Sequence, residues 1–264
     1  MMRVVTLLSD FGSRDGYVGQ MKGIVLDSCP SAVITDISHD VERHNIAMGS
    51  FILETTAPYF PKGTIHVAVV DPGVGSDRKA VVVKCETGIF IGPDNGLMAR
   101  AGERLGQKAI YEIREKEFWR EPKSSTFHGR DVFAHVAGLI ASGRQPEEVG
   151  PRVSKLETLD LPQPRVAGKT IICQVLHVDV FGNVITNVGE ELVRLLPKKT
   201  GGSVEIRSGA RKLQAQYARS YYEVDKGAMA VLLGSQGFLE IAVREGNARD
   251  ILDLNPLDKL ELRF

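Results

Sequence analysis

The sequence predicts an α/β N-terminal domain, with a mostly parallel sheet flanked by helices, followed by a small antiparallel, barrel-like β-domain. Three observations lead there. In the first half, short β-branched apolar runs alternate with stretches of helical period, the pattern of strand–helix–strand units with parallel pairs. Residues 154 to 169, SKLETLDLPQPRVAGK, then contain two prolines and no helical period. Beyond them, short or alternating apolar runs are separated by Gly or Asn turns, as in a small sheet or barrel. The boundaries read as 1–158 for the first domain, 159–169 for a linker and 170–264 for the second.

The elements follow in order. Residues 3 to 8, RVVTLL, form a buried strand ending at Ser9-Asp10-Phe11-Gly12. A helix over 17–27 carries Val18, Met21, Val25 and Leu26 near helical spacing and closes at Cys29-Pro30. A strand at 32–37 enters the polar loop Ser38-His39-Asp40, and a helix near 44–57 stops before Pro58. Strands at 65–70, 80–83, 88–92 and 109–113 are expected, with a helix over 97–105. Residues 114–130 are polar and loop-like, and a helix over 131–141 follows. In the second domain, strands are expected at 170–178, 184–188, 203–207, 229–234 and 238–243, with a helical turn at 192–196.

Lys+Arg and Asp+Glu are both 33, so the formal charge is zero and nothing marks a nucleic-acid or anionic-membrane partner. The three cysteines are scattered in apolar stretches, which fits reduced core thiols rather than zinc ligands or a disulfide framework. No stretch approaches the ~20 apolar residues of a membrane span, and the N-terminal apolar run is too short for a signal peptide. A cytoplasmic protein is expected.

The stretch HVAVVDPGVGSDRKA, 66 to 80, organises the chemistry. Asp71 stands where an apolar strand stops, the place where ligand groups gather in open α/β sheets. Pro72, Gly73 and Gly75 then pace a loop to Arg78. Either Asp71 caps a turn with Arg78 in solvent, or the two charges share a pocket. Asp10, Asp15 and Asp94 fall at similar strand ends or glycine turns, as caps or as members of one cleft. His128 lies just before a helix start, where backbone amides favour anions, and is a better catalytic candidate than His135 inside the helix. Asn183 ends a turn that reads as a hairpin corner or as a base-reading amide, and Glu240 alternates with Leu239 and Ile241, which suggests the solvent face. No GxGxxG follows the first strand, and GxxxxGK[ST], HExxH and GxSxG are absent.

SDFG (9–12), VDPGVGSDR (70–78), GPDNG (92–96), TFHGRD (126–131), DVFGNVITN (179–187) and GSQGFLEIAVREGNA (234–248) occur in an order and spacing that resembles the S-adenosylmethionine (SAM) hydrolases, or SAM hydroxide adenosyltransferases, relatives of the SAM-dependent halogenases. The resemblance spans nearly the whole chain. It implies a homotrimer with SAM at subunit interfaces, between the N-terminal domain of one chain and the C-terminal domain of the next. It also implies that Asp10 holds the ribose diol, and that Asp15 and Ser235 lie near the methionine. Asn183, Glu240 and the Val243 backbone lie near the adenosine, and His39 walls the nucleoside pocket where the halogenases carry tryptophan.

The catalytic set implied is Asp71, Arg78 and His128. The halogenases carry Tyr at the place of Asp71, Thr at that of Val74 and a halide-binding Ser at that of Gly129, so each departure points to water as nucleophile. Water or hydroxide then attacks ribose C5′ in line, and methionine leaves as a neutral thioether that needs no general acid. No metal or cofactor is expected, SAM being the substrate. A SAM-dependent halogenase and a non-catalytic adenosine or SAM sensor are the rival readings.

Overall fold

The computed structural model describes residues 3–193, 201–209 and 211–264, and the chain divides into two compact units, Met1–Leu159 and Asp160–Phe264. In the first, the order is β1 (Val4–Ser9), α1 (Tyr17–Ser28), β2 (Val33–Ser38), α2 (Ile46–Thr56), β3 (Thr64–Val69), β4 (Ala80–Cys85), β5 (Gly88–Pro93), α3 (Ala99–Arg104) and β6 (Gln107–Glu112). A π-helical turn, Gly129–Ala134, leads into α4 (His135–Ser142), and β7 (Arg152–Val153) follows. The sheet runs β2-β1-β3-β5-β4-β6-β7. β2, β1, β3 and β5 are mutually parallel, and β4 and β7 run against the rest.

Both faces of this sheet are covered at its centre, which is why β1 and β3 read as largely apolar runs. Successive residues of β1 point to opposite sides. Leu7 joins Val18, Met21 and Val25 of α1 and Val136 and Ile140 of α4, while Leu8 joins Leu53 of α2 and Ala101 of α3. Each such leucine contributes about 2 kcal/mol by leaving water. Leu26, expected beside Val25, is instead 41% exposed, because it falls off the stripe that meets the sheet. The helix expected from residue 131 begins two residues earlier, at Gly129.

His66, in the middle of β3, is 1% exposed. Its Nδ1 lies 2.8 Å from Thr6 Oγ1, and its ring stacks on Phe90 at 5.0 Å. Burial pulls its pKa from 6.5 down to about 4. The folded value lies below the unfolded one, so this contribution is complete above pH 6.5 and is lost as the pH falls through about 4. Urea unfolding across that window should show a loss on the order of 3 kcal/mol, and His66→Gln should remove that part of the slope.

The second unit contains β8 (Arg165–Ala167), β9 (Thr170–Val178), β10 (Val184–Gly189), α5 (Glu190–Val193), β11 (Ser203–Ser208), β12 (Arg211–Tyr217), β13 (Met229–Leu233), β14 (Phe238–Val243), α6 (Ala248–Leu252) and β15 (Lys259–Arg263). The order β10-β14-β13-β12-β11-β15-β9 closes on itself through a β9–β10 pairing, and β8 flanks β9. Among the described residues every pairing is antiparallel except β12–β13, so the barrel is mixed. Between those two parallel strands the chain forms a 3₁₀ turn, Tyr221–Glu223, and Ala218 and Val224 pack on Ala230, Leu232 and Ala242. The helical turn expected at 192–196 is seen only as far as Val193, since 194–196 lie outside the described residues. Among the described residues no helix is long and apolar enough to cross a membrane.

Candidate active site

Asp71 follows the end of β3, and Arg78 returns toward it across the glycine-paced loop. The guanidinium forks onto the carboxylate: Nε donates to Oδ1 at 2.9 Å and Nη2 donates to Oδ2. Nη2 also lies 3.1 Å from His128 Nδ1. Arg78 has only hydrogens to offer, so Nδ1 must accept and the neutral ring carries its proton on Nε2. Burial, and then the Arg78 charge, hold His128 below the ordinary histidine pKa. The side chains of Arg78 and Asp71 are only 11% and 5% exposed, so the pair is largely shielded from water. Arg78 therefore meets Asp71 rather than lying in solvent.

Two further contacts fix the loops that carry these groups. Gly75 has φ +80°, and a Cβ there would lie 2.9 Å from Ser125 O, so only glycine lets the Asp71–Arg78 loop touch the segment before His128. Gly75→Ala should cost about 2 kcal/mol from the left-handed backbone alone and push the two loops apart. A lowered melting temperature together with reduced kcat would show both effects. Asp131 is fully buried beneath the same segment. It accepts from Ser124 N at 2.8 Å and from Arg130 Nε at 2.6 Å, folding 124–128 back onto its own helix. Burial would raise its carboxyl, but the Arg130 and Ser124 hydrogen bonds hold it below the ordinary value. Its place in TFHGRD was the only sequence signal for this role.

At the end of β1, Asp10 Oδ2 accepts from His44 N at 2.9 Å, where His44 has φ +65°. His39 is buried, and its Nδ1 lies 2.7 Å from Ser9 Oγ. Asp15 is exposed in the turn before α1. Phe11 packs edge-on to Phe127 with centroids at 5.6 Å, joining the β1 loop to the His128 loop. A Cβ on Gly129 would lie 3.1 Å from Phe127 and 3.4 Å from Phe11, leaving little room for a larger residue. Asp94 does not offer its carboxylate to a cleft with the other three: it is buried and accepts from Glu157 N at 2.8 Å. Among the described residues no group of three or more His, Cys, Asp or Glu is arranged to hold a metal ion.

In the second unit, Asp179 organises the turn after β9. Its Oδ1 accepts from Phe181 N and Asn183 N, each at 2.9 Å, and its Oδ2 accepts from Asn183 Nδ2 at 2.9 Å. This leaves the Asn183 amide oxygen as an oriented acceptor. Glu240 does not face solvent as its alternation suggested. It is 6% exposed, because the segment between β12 and β13 covers the second face of β14, and Tyr221 Oη donates to its Oε1. A Cβ on Gly234 would sit 2.3 Å from Glu240 Oε2, so the glycine makes room for the carboxylate. Burial, against the Tyr221 hydrogen bond, holds Glu240 above the ordinary carboxylate range. Ser235 is exposed in the β13–β14 turn. Val243 is buried, and its carbonyl accepts from Gly246 N at 3.0 Å. Tyr221 and Asp179 had no role in the sequence reading, since each acts on a partner whose need for one is visible only after folding.

Comparison with known proteins agrees with this layout. Residues 5–150 match the model for the SAM hydroxide adenosyltransferase N-terminal domain, and 173–261 match that for its C-terminal domain. The (R)-S-adenosyl-L-methionine hydrolase of Methanocaldococcus jannaschii is 39% identical, the alignment covering 100% of this chain and 97% of that protein. The hydrolase of the same name from Thermus thermophilus is 37% identical over 96% of each. A fluorinase of Nocardia brasiliensis is more distant, at 25% over 90% of this chain and 89% of its own. The crystal structure of an uncharacterized conserved protein from Thermotoga maritima superposes with a TM-score of 0.93 at 37% identity, covering 100% of both chains. With both halves matched in order and full-length relatives well above a third identical, the chain belongs to the SAM hydroxide adenosyltransferase family.

Proposed function

We propose that this protein hydrolyses S-adenosyl-L-methionine to adenosine and L-methionine, with water or hydroxide displacing the thioether at ribose C5′. The observation that carries the reading is the connected set Asp71–Arg78–His128, in which one guanidinium grips a carboxylate with two donors and an imidazole with the second of them. Such a set positions a weak nucleophile without itself being consumed. Asp71 retains lone pairs that orient and polarise the water, and His128 keeps an Nε2–H to donate. The C–S bond breaks as C–O forms, the sulfonium charge is quenched, and one proton is released to solvent per turnover. Methionine leaves neutral, so neither a metal nor a general acid is required. The tight space at Gly129 favours water over a halide-binding serine in this position.

In this reading Asp10 holds the ribose diol with the oxygen that His44 does not occupy, and His39 walls the nucleoside pocket. Asp15 and Ser235 take the methionine end, while Asn183, Glu240 and the Val243 backbone take the adenosine. The working form is a homotrimer with sites at subunit interfaces. Its support is an exposed apolar surface next to Asn183, where Val180 is 95% and Phe181 74% exposed, which a second copy would cover. The three free, buried cysteines fit a cytoplasmic setting.

Incubating the purified protein with SAM in water enriched in heavy oxygen, with and without chloride, tests the proposal. Mass spectrometry should find labelled adenosine and no halide dependence. A halogenated nucleoside would favour a halogenase, and bound but intact SAM would favour a sensor.

A further inference from the structure

Ser9, His39 and Asp36 stand in line at the end of β1, in a chain that the nucleophile-positioning set does not use. Ser9 is fully buried, with Oγ 2.7 Å from His39 Nδ1, and it also accepts from Phe11 N at 3.3 Å. On the other side of the ring, His39 Nε2 lies 3.1 Å from Asp36 Oδ1. Asp36 is anchored in turn by Lys22, whose Nζ donates to Oδ2 at 2.7 Å. The backbone closes the same loop, since Gly12 N donates to His39 O at 2.8 Å. A local irregularity makes this possible: Leu7 pairs with Asp36 but Leu8 pairs with Ser38, so β2 gains a residue where it meets the loop.

The two neighbours set the tautomer. Nε2 faces the Asp36 carboxylate at close range but outside hydrogen-bond geometry, and the negative charge there favours the hydrogen on Nε2, so the Ser9 hydroxyl donates to a bare Nδ1 while accepting from Phe11 N. Ser9 thus fixes Nδ1 by a hydrogen bond, while Asp36 acts on the buried Nε2 through its charge. The lowered pKa of Asp36 fits this role: burial opposes ionisation, but the Lys22 hydrogen bond and the adjacent His39 ring outweigh it.

We propose that Ser9 and Asp36 are positioning residues that lock the His39 ring and, through the joined 9–12 and 38–44 loops, the Asp10 carboxylate for nucleoside binding. This rests on the SAM-hydrolase reading above and deepens it. The serine is too buried to act as a nucleophile, so the line serves geometry rather than covalent chemistry.

Nitrogen NMR of histidine-labelled protein, combined with steady-state kinetics, tests it. Wild-type His39 should show a bare Nδ1 and a protonated Nε2 at neutral pH. Asp36→Ala, at a half-exposed position that should tolerate it, should mix the tautomers and raise KM for SAM about tenfold while kcat falls less than about threefold. Asp36→Glu keeps the carboxylate charge and should restore part of both signals. An unchanged tautomer in Asp36→Ala, or an altered tautomer with unchanged KM, would overturn the proposal. If the wild-type chain leaves SAM intact, the hydrolase reading fails, and the tautomer together with calorimetric adenosine affinity still decides the relay.

Discussion

Asp71→Ala should lower kcat by about 10²–10⁴-fold, the range that loss of a positioned acid–base group produces, with KM for SAM changed only a few-fold. The carboxylate is the one member of the set with lone pairs to spare after Arg78 has taken its share. Removing it leaves the guanidinium largely shielded from water and without its counter-charge, so the water loses both its acceptor and the geometry around it. Single-turnover kinetics with labelled water would separate this from a binding defect. A variant with near wild-type kcat would remove Asp71 from the mechanism.

Arg78→Lys should be nearly as damaging, on the order of 10²-fold in kcat, although the charge is kept. An ammonium is a point donor on a flexible stem and cannot meet both Asp71 oxygens and His128 Nδ1 in one plane. His128 would then be free to take the other tautomer or to charge. Wild-type activity should therefore fall on the acid side as His128 protonates, at a pH below the ordinary histidine range, because its folded pKa is lowered. In Arg78→Lys that limb should move upward, since one cause of the lowering has been weakened. The two substitutions combined should cost about what one costs alone, because the residues act as a unit. Additive losses in a double-mutant cycle would contradict that.

Much of this was legible from residues. β1 and β3 are buried on both sides, so VVTLL and IHVAV announce themselves without help from neighbours. β12 and β15 escaped the sequence reading for the opposite reason. RKLQAQY and KLELR each turn only a few apolar side chains inward, such as Leu213 and Ala215 or Leu260 and Leu262, and their outward faces are polar. For the site, a carboxylate at a strand end before a glycine loop was visible, but the contact of its partner Arg78 with His128 joins residues far apart in the chain. The roles came from the family resemblance. Asp131, Ser9 and Asp36 were hidden because their worth lies in what they hold. Glu240 misled because alternation assumes an open second face, and here that face is roofed.

The parallel pairing of β12 with β13 has a topological consequence. Neighbouring strands that point the same way cannot be joined by a tight corner, so after β12 the chain must travel back along the wall before β13 can start. That return path is 218–228, and Tyr221 rides on it to reach Glu240. The direction of one strand thus decides whether a buried acid has a donor. Exchanging this stretch with that of a relative would transplant the environment of Glu240 as one cassette, leaving every residue of β14 unchanged.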